Sequence, residues 1–180
     1  MAARGQSGRA HGSQFSGDRL AAQQVYGEVV TMADACGNRM ISVVASIALG
    51  HLQENDNQLH QAARTYGRAL QKLGDQPHSV ACEVHLGLAR IRYEWNDLSA
   101  ATVHAEKSSR LAALLECDAG LGADVLLAQM LLSRAETDAA LSLLTKASAA
   151  AQTRNQHGGR LAIAHAQVQA LLQTGEVIAA

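Results

Sequence analysis

Aromatic residues are scarce in this chain, 3% of 180 residues, and proline occurs once, at Pro77. Sheets draw on aromatic and β-branched side chains, so β-rich folds lack their usual material, while a single proline lets long helices run almost everywhere. Cysteine is limited to Cys36, Cys82 and Cys117. An odd number, widely spaced and outside any Cys-x-x-Cys pair, indicates neither a disulfide framework nor a zinc ribbon, and reads as small buried hydrophobes. Charge of one sign is also missing: 15 basic and 16 acidic residues leave a net charge of -1. Such a balance sets up no field to attract a phosphate backbone or an anionic membrane, so direct nucleic-acid binding is not expected. No run approaches the roughly 18 apolar residues of a membrane span, and the N-terminus lacks the apolar middle of a secretory signal. A cytoplasmic location follows by default.

Alanine and leucine are plentiful, within an apolar fraction of 48%. That is enough for a continuous core in one domain or one short solenoid, and the expected class is all-α. Residues 1–14 are rich in Gly, Ser and Arg, with no acid before Asp18, and read as a flexible tail ahead of a helical region over 15–180.

Self-similarity organises that region. Leu49-Gly50 is followed twelve residues later by Ala62, Leu88-Ala89 by Ala101, and Leu127-Ala128 by Ala140, each copy 39 residues after the last. A leucine beside a small residue lets one helix approach another closely, and the later alanine supplies the hollow on the next helix. Ala62, Tyr66, Ala69 and Leu70 then fall on one helical face, and Ala22, Tyr26 and Val29 repeat the pattern upstream. Polar turns at Gly17-Asp18, Asn55-Asp56-Asn57, Asn96-Asp97 and Glu136-Thr137-Asp138 offer caps for the following helices. Gly37-Asn38, Gly74 to Pro77 and His157-Gly158-Gly159 separate the pairs. The pattern predicts helices near 18–35, 39–54, 57–73, 78–94, 97–116, 119–135, 138–153 and 159–173.

The first predicted helix is the second half of a pair, and the run from Leu171 to Ala180 reads as a helix end, a Gly175-Glu176 turn and the opening of another helix. Both ends therefore read as cutting through a repeat, as in a piece of a longer protein. Uncovered apolar faces at such ends predict self-association or poor solubility.

The Leu/Gly/Ala pattern resembles the tetratricopeptide (TPR) repeat. A more specific string runs from His85 to Leu98, with Tyr93-Glu94-Trp95-Asn96-Asp97-Leu98 at its turn, and continues to Ala101 and His104. It is similar to the repeat region of MalT-like, LuxR-type large ATP-binding transcriptional regulators, loosely from Phe15 to Ala180. The resemblance implies a right-handed superhelical stack of antiparallel helix pairs, seven to eight helices in all, that senses an effector and self-associates between a nucleotide-binding switch and a helix-turn-helix. The sequence contains no G-x-x-x-x-G-K-[ST] loop and no short basic recognition helix. Neither ATP hydrolysis nor operator binding is expected of it.

His78, Cys82 and His85 share one helical face, yet a fourth zinc ligand is missing, and packing or surface exposure is the preferred reading. No metal or cofactor is expected. Tyr93, Glu94, Trp95 and Asp97 invite an acid/base reading, but Trp95 fits a wedge between repeats and Asn96 or Asp97 a helix cap. No nucleophile and base fall in a recognisable arrangement, so no enzyme is expected.

Binding in the groove is the better reading. In stacked pairs of this type the first helices line the concave surface. Positions one, four and five after Gly50, Ala89 and Ala128 face it: His51, Glu54 and Asn55; Arg90, Tyr93 and Glu94; Gln129, Leu132 and Ser133. Glu83 joins them. This mixed polar strip suits a protein or peptide partner, or a polar small-molecule inducer. The alternative is a generic scaffold for protein–protein interaction with no small-molecule effector.

Overall fold

Helices begin and end close to the boundaries the repeat predicts. The computed structural model describes residues 4–74, 77–117, 119–153 and 157–174, with side chains described for 18–74, 77–117, 119–152 and 162–172. Among these residues all regular structure is α-helical: α1 (Arg4–Ala35), α2 (Arg39–Asn55), α3 (Leu59–Leu73), α4 (Ser79–Glu94), α5 (Leu98–Leu115), α6 (Ala119–Ser133), α7 (Thr137–Thr153) and α8 (His157–Thr174). The largest difference from the sequence reading is at α1, which starts at Arg4 rather than near residue 18. No side chain of the segment read as a tail, 1–14, is described, and the predicted Gly175-Glu176 turn lies outside the described residues. No helix among them is long and apolar enough to cross a membrane.

The chain resolves into two compact units, Met1–Gly74 and Asp75–Ala180. In the first, α1 packs on α2 and α2 on α3. Gly37 and Gly74 end α1 and α3 with φ of 68° and 70°, the left-handed conformation that glycine adopts without a Cβ clash. Lys72 near the end of α3 reaches Asp34 of α1 at 2.7 Å and the Ser42 hydroxyl of α2 at 2.6 Å, which ties three helix ends together. That ammonium and the Ser42 hydroxyl hold the Asp34 carboxyl below the usual carboxylate range. Asn38 caps α2 by accepting from the Ile41 N–H. The Asn55-Asp56-Asn57 turn does not supply the cap of α3 that the sequence offers there, and Asp56 is engaged elsewhere. It accepts instead from Arg19 and Gln23 of α1, and Gln58 stands at the N-cap of α3 without a side-chain bond.

In the second unit each helix packs on the next, and α4, α6 and α8 also touch side by side. No equivalent contact joins α5 to α7 among the described residues. The layer of α4, α6 and α8 is therefore the closely packed, inner side of this unit. The small residues of the repeat carry these contacts: Ala89, Ala101, Ala128 and Ala140 are all fully buried. Asp97 caps α5 through the Ala100 N–H, as predicted.

The three turns that join α2 to α3, α4 to α5 and α6 to α7 each hold one residue in the left-handed region: Asn57, Asn96 and Ala135. These positions are spaced by the 39-residue repeat. Asparagine tolerates that conformation, whereas the Cβ of alanine opposes it by about 1–2 kcal/mol. Ala135→Asn should therefore stabilise the chain by roughly 0.5–1 kcal/mol in urea unfolding. An unchanged midpoint would mean that the turn carries no such strain.

Candidate functional site

The inner layer of the second unit forms an open cleft of about 650 Å³. From α4 come Tyr93 and Glu94, and from α6 come Gln129, Leu132 and Ser133. All five belong to the polar strip that repeat arithmetic picks out. Successive copies of one helix position project side chains into a common space because α4, α6 and α8 run side by side. Leu132, only 7% exposed, forms an apolar floor. Around it stand a phenol, a carboxylate, an amide and a hydroxyl, which can bond both donors and acceptors.

Two lining residues were not singled out from sequence: Gln169 and Leu172 of α8. They repeat Gln129 and Leu132 after a step of 40 residues rather than 39. The buried face of α8 keeps the same longer step, since Ile163, Ala166 and Ala170 follow Ala123, Leu126 and Met130. A step of 39 lands one residue short, on Val168 and Leu171. The signal existed, but one extra residue in the last link shifts it.

Arg90 and Glu83 also lie on α4, half-buried, and the cleft is not lined by either. His51, Glu54 and Asn55 sit on α2 in the first unit. There Tyr66 of α3 is fully buried, donates its hydroxyl to Glu54 and meets the His51 ring edge-on at 6.0 Å. The ring has room because position 50 is glycine: a Cβ there would stand 2.5 Å from Tyr66 Cε1. The first unit also exposes an apolar groove of about 370 Å³ between α1 and α2, lined by Tyr26, Val29, Met40, Ile41 and Val44 among others.

The three residues with metal-ligand spacing part company. His78 caps α4 through its Nδ1, Cys82 faces the Cys117 sulfur at 3.2 Å, and His85 faces His104 of α5 with 3.0 Å between Nδ1 atoms. Among the described residues no group of three or more His, Cys, Asp or Glu is placed to hold a metal ion. Burial, helped by His104 and Lys107, pushes the His85 imidazole down to about 4, and burial with Lys107 and Arg92 lowers His104. Asp124, half-buried on α6, is raised by burial against the hydrogen bond it accepts from Ser109. None of these groups lines the cleft. Trp95 takes the C-cap position of α4, with the Arg92 guanidinium 5.4 Å from its ring centre, a contact within its own helix end.

The cleft thus has hydrogen-bonding side chains from three neighbouring helices around a leucine floor. Among known families, the model described as the MalT-like TPR region matches residues 1–180, the whole chain. No curated protein matches the sequence.

Proposed function

The chain belongs to the MalT-like TPR region family, and on that premise we propose that it is the effector- or partner-binding and self-association module of a LuxR-type transcriptional regulator. It works in the cytoplasm by binding rather than catalysis, without a metal or cofactor, and touches neither nucleic acid nor membrane itself. The observation that carries this reading is the cleft on α4, α6 and α8. A ligand there touches three helices at once, so its affinity depends on how they are spaced. Binding then favours one spacing over another by the difference in affinity between the two. That shift is the signal passed on through association of the stack.

The proposed contacts are Tyr93, Glu94, Gln129 and Ser133, with Gln169 and Leu172 completing the wall. A thermal-shift screen with sugars, organic acids, nucleotides and peptides should find a compound that raises the melting temperature. At a hundred times its Kd a ligand stabilises the folded state by about 2.7 kcal/mol, which is roughly 5–10 °C for a chain of this size. Tyr93→Ala combined with Gln129→Ala should weaken that compound by about 10–100-fold, with the circular dichroism spectrum unchanged. Arg90→Ala lowers affinity only if the ligand reaches beyond the cleft. Silence across the whole screen, or equal affinity in the double variant, would overturn the assignment. Shifts with peptides alone would favour the scaffold alternative.

A further inference from the structure

Two thiols meet at the far end of the α4–α5 hairpin from the cleft. Cys82, in the second turn of α4, is fully buried, and its S–H donates to the Cys117 sulfur 3.2 Å away. Cys117 follows the left-handed Glu116 that ends α5, and its N–H is bonded to the Ala112 carbonyl. It is partly exposed, and its own S–H points to the Ser79 carbonyl. Around the pair lie Leu86, Leu111, Ala112, Ala119 and Ala123.

We propose that Cys82 and Cys117 form an oxidation site that peroxide converts to an intramolecular disulfide. The sulfurs need to close by only about 1.2 Å to reach bonding distance. The exposed sulfur reacts first. The Cys117 thiolate attacks a peroxide oxygen, the O–O bond breaks, and a sulfenic acid forms with release of one water. The Cys82 sulfur, already beside it, then attacks the Cys117 sulfur. The S–O bond breaks, and hydroxide leaves with the Cys82 proton as a second water. Two thiols are oxidised by two electrons, and one peroxide is reduced to two waters. Burial pushes the Cys82 thiol up to about 12, which keeps it protonated and leaves the partly exposed Cys117 as the sulfur that peroxide meets first.

The disulfide ties the start of α4 to the end of α5 across 35 residues of sequence. Tyr93 lies eleven residues further along α4, roughly 16 Å away by helix rise, so the bond locks the hairpin without entering the cleft. The test uses the full chain carrying Cys36→Ser, since exposed Cys36 would otherwise cross-link molecules. After treatment with hydrogen peroxide and alkylation under denaturing conditions, the expected product is a monomer lighter by two hydrogens, with no alkylatable thiol. A cross-link between the peptides containing Cys82 and Cys117 should be found, together with a melting temperature higher by roughly 5–10 °C that dithiothreitol reverses. The same chain with Cys117→Ser should show neither. Thiols that stay alkylatable, products heavier by two or three oxygens, or disulfide-linked dimers would each overturn the assignment.

Discussion

Lowering the pH from 7 to 4 should weaken the second unit by about 2–3 kcal/mol through the His85–His104 pair alone. With their Nδ1 atoms 3.0 Å apart, the two rings share one proton, one donating and the other accepting. Burial disfavours a positive charge on either ring, and the neighbouring charges of Lys107 and, at His104, Arg92 add to that. The native pKa of His85 therefore falls to about 4 from an unfolded value of 6.5. Between those values the unfolded chain holds a proton that the native chain does not, so stability is complete above pH 6.5 and drains away down to about pH 4. His104 is shifted the same way and adds to the loss. Asp124 acts oppositely: its raised pKa means that protonation relieves a burial penalty, in a window just above 3.8. Trp95, the single tryptophan, sits at the end of α4 and reports this unit by fluorescence. Urea midpoints at pH 7, 5.5 and 4.5 should fall in step. His85→Leu should flatten that dependence; an unchanged slope in the variant would remove the pair as its cause.

The repeat made most of the helical order legible, because it constrains residues that pack locally. Leu-small pairs and alanines twelve positions on specify where helices touch, and those alanines are buried as the pattern requires. The turns were legible as turns from their Asn and Asp residues; their left-handed backbone at Asn57 and Asn96, which asparagine tolerates, was not read. At Ala135 the same backbone is imposed by the fold on a residue with no preference for it. Capping was legible at Asp97, was not read at Asn38, whose pair with Gly37 reads as a link, and was expected of the Asn55-Asp56-Asn57 turn, which does not supply it. An aspartate in a turn can serve a helix N-terminus or a cation, and Arg19 decides that choice from another helix.

The cleft was legible in the same measure as the repeat. Five residues at repeated positions come together on α4 and α6, and the two on α8 were missed by one residue of register. What sequence does not show is pairing across the hairpin. His85 and His104 are 19 residues apart, and Cys82 and Cys117 are 35 apart. Each pair forms because α5 folds back antiparallel on α4, which brings distant positions to the same height. Spacing along one helix grouped His78, Cys82 and His85 instead, and each of the three points to a different neighbour.

At Gly50 the close approach of two helices is exposed to a single substitution. Glycine costs a helix about 1 kcal/mol relative to alanine, so on propensity alone Gly50→Ala would stabilise α2. The packing reverses that sign. The added Cβ would stand 2.5 Å and 2.6 Å from two ring carbons of Tyr66, which is fully buried and held by its hydroxyl to Glu54. Overpacking of this kind costs about 1–3 kcal/mol, and a larger residue such as leucine costs more. Tyr66→Ala removes the ring itself and should cost about 3–5 kcal/mol, the value for a buried aromatic. The two changes remove the same conflict from opposite sides. In the double variant the new methyl enters space the ring has left, so the combined loss should be smaller than the sum by at least 1 kcal/mol. Urea unfolding followed by circular dichroism measures all four corners of that cycle. Additive losses would mean that Gly50 is small for a reason other than Tyr66, and that His51 and Glu54 are positioned by something other than this ring.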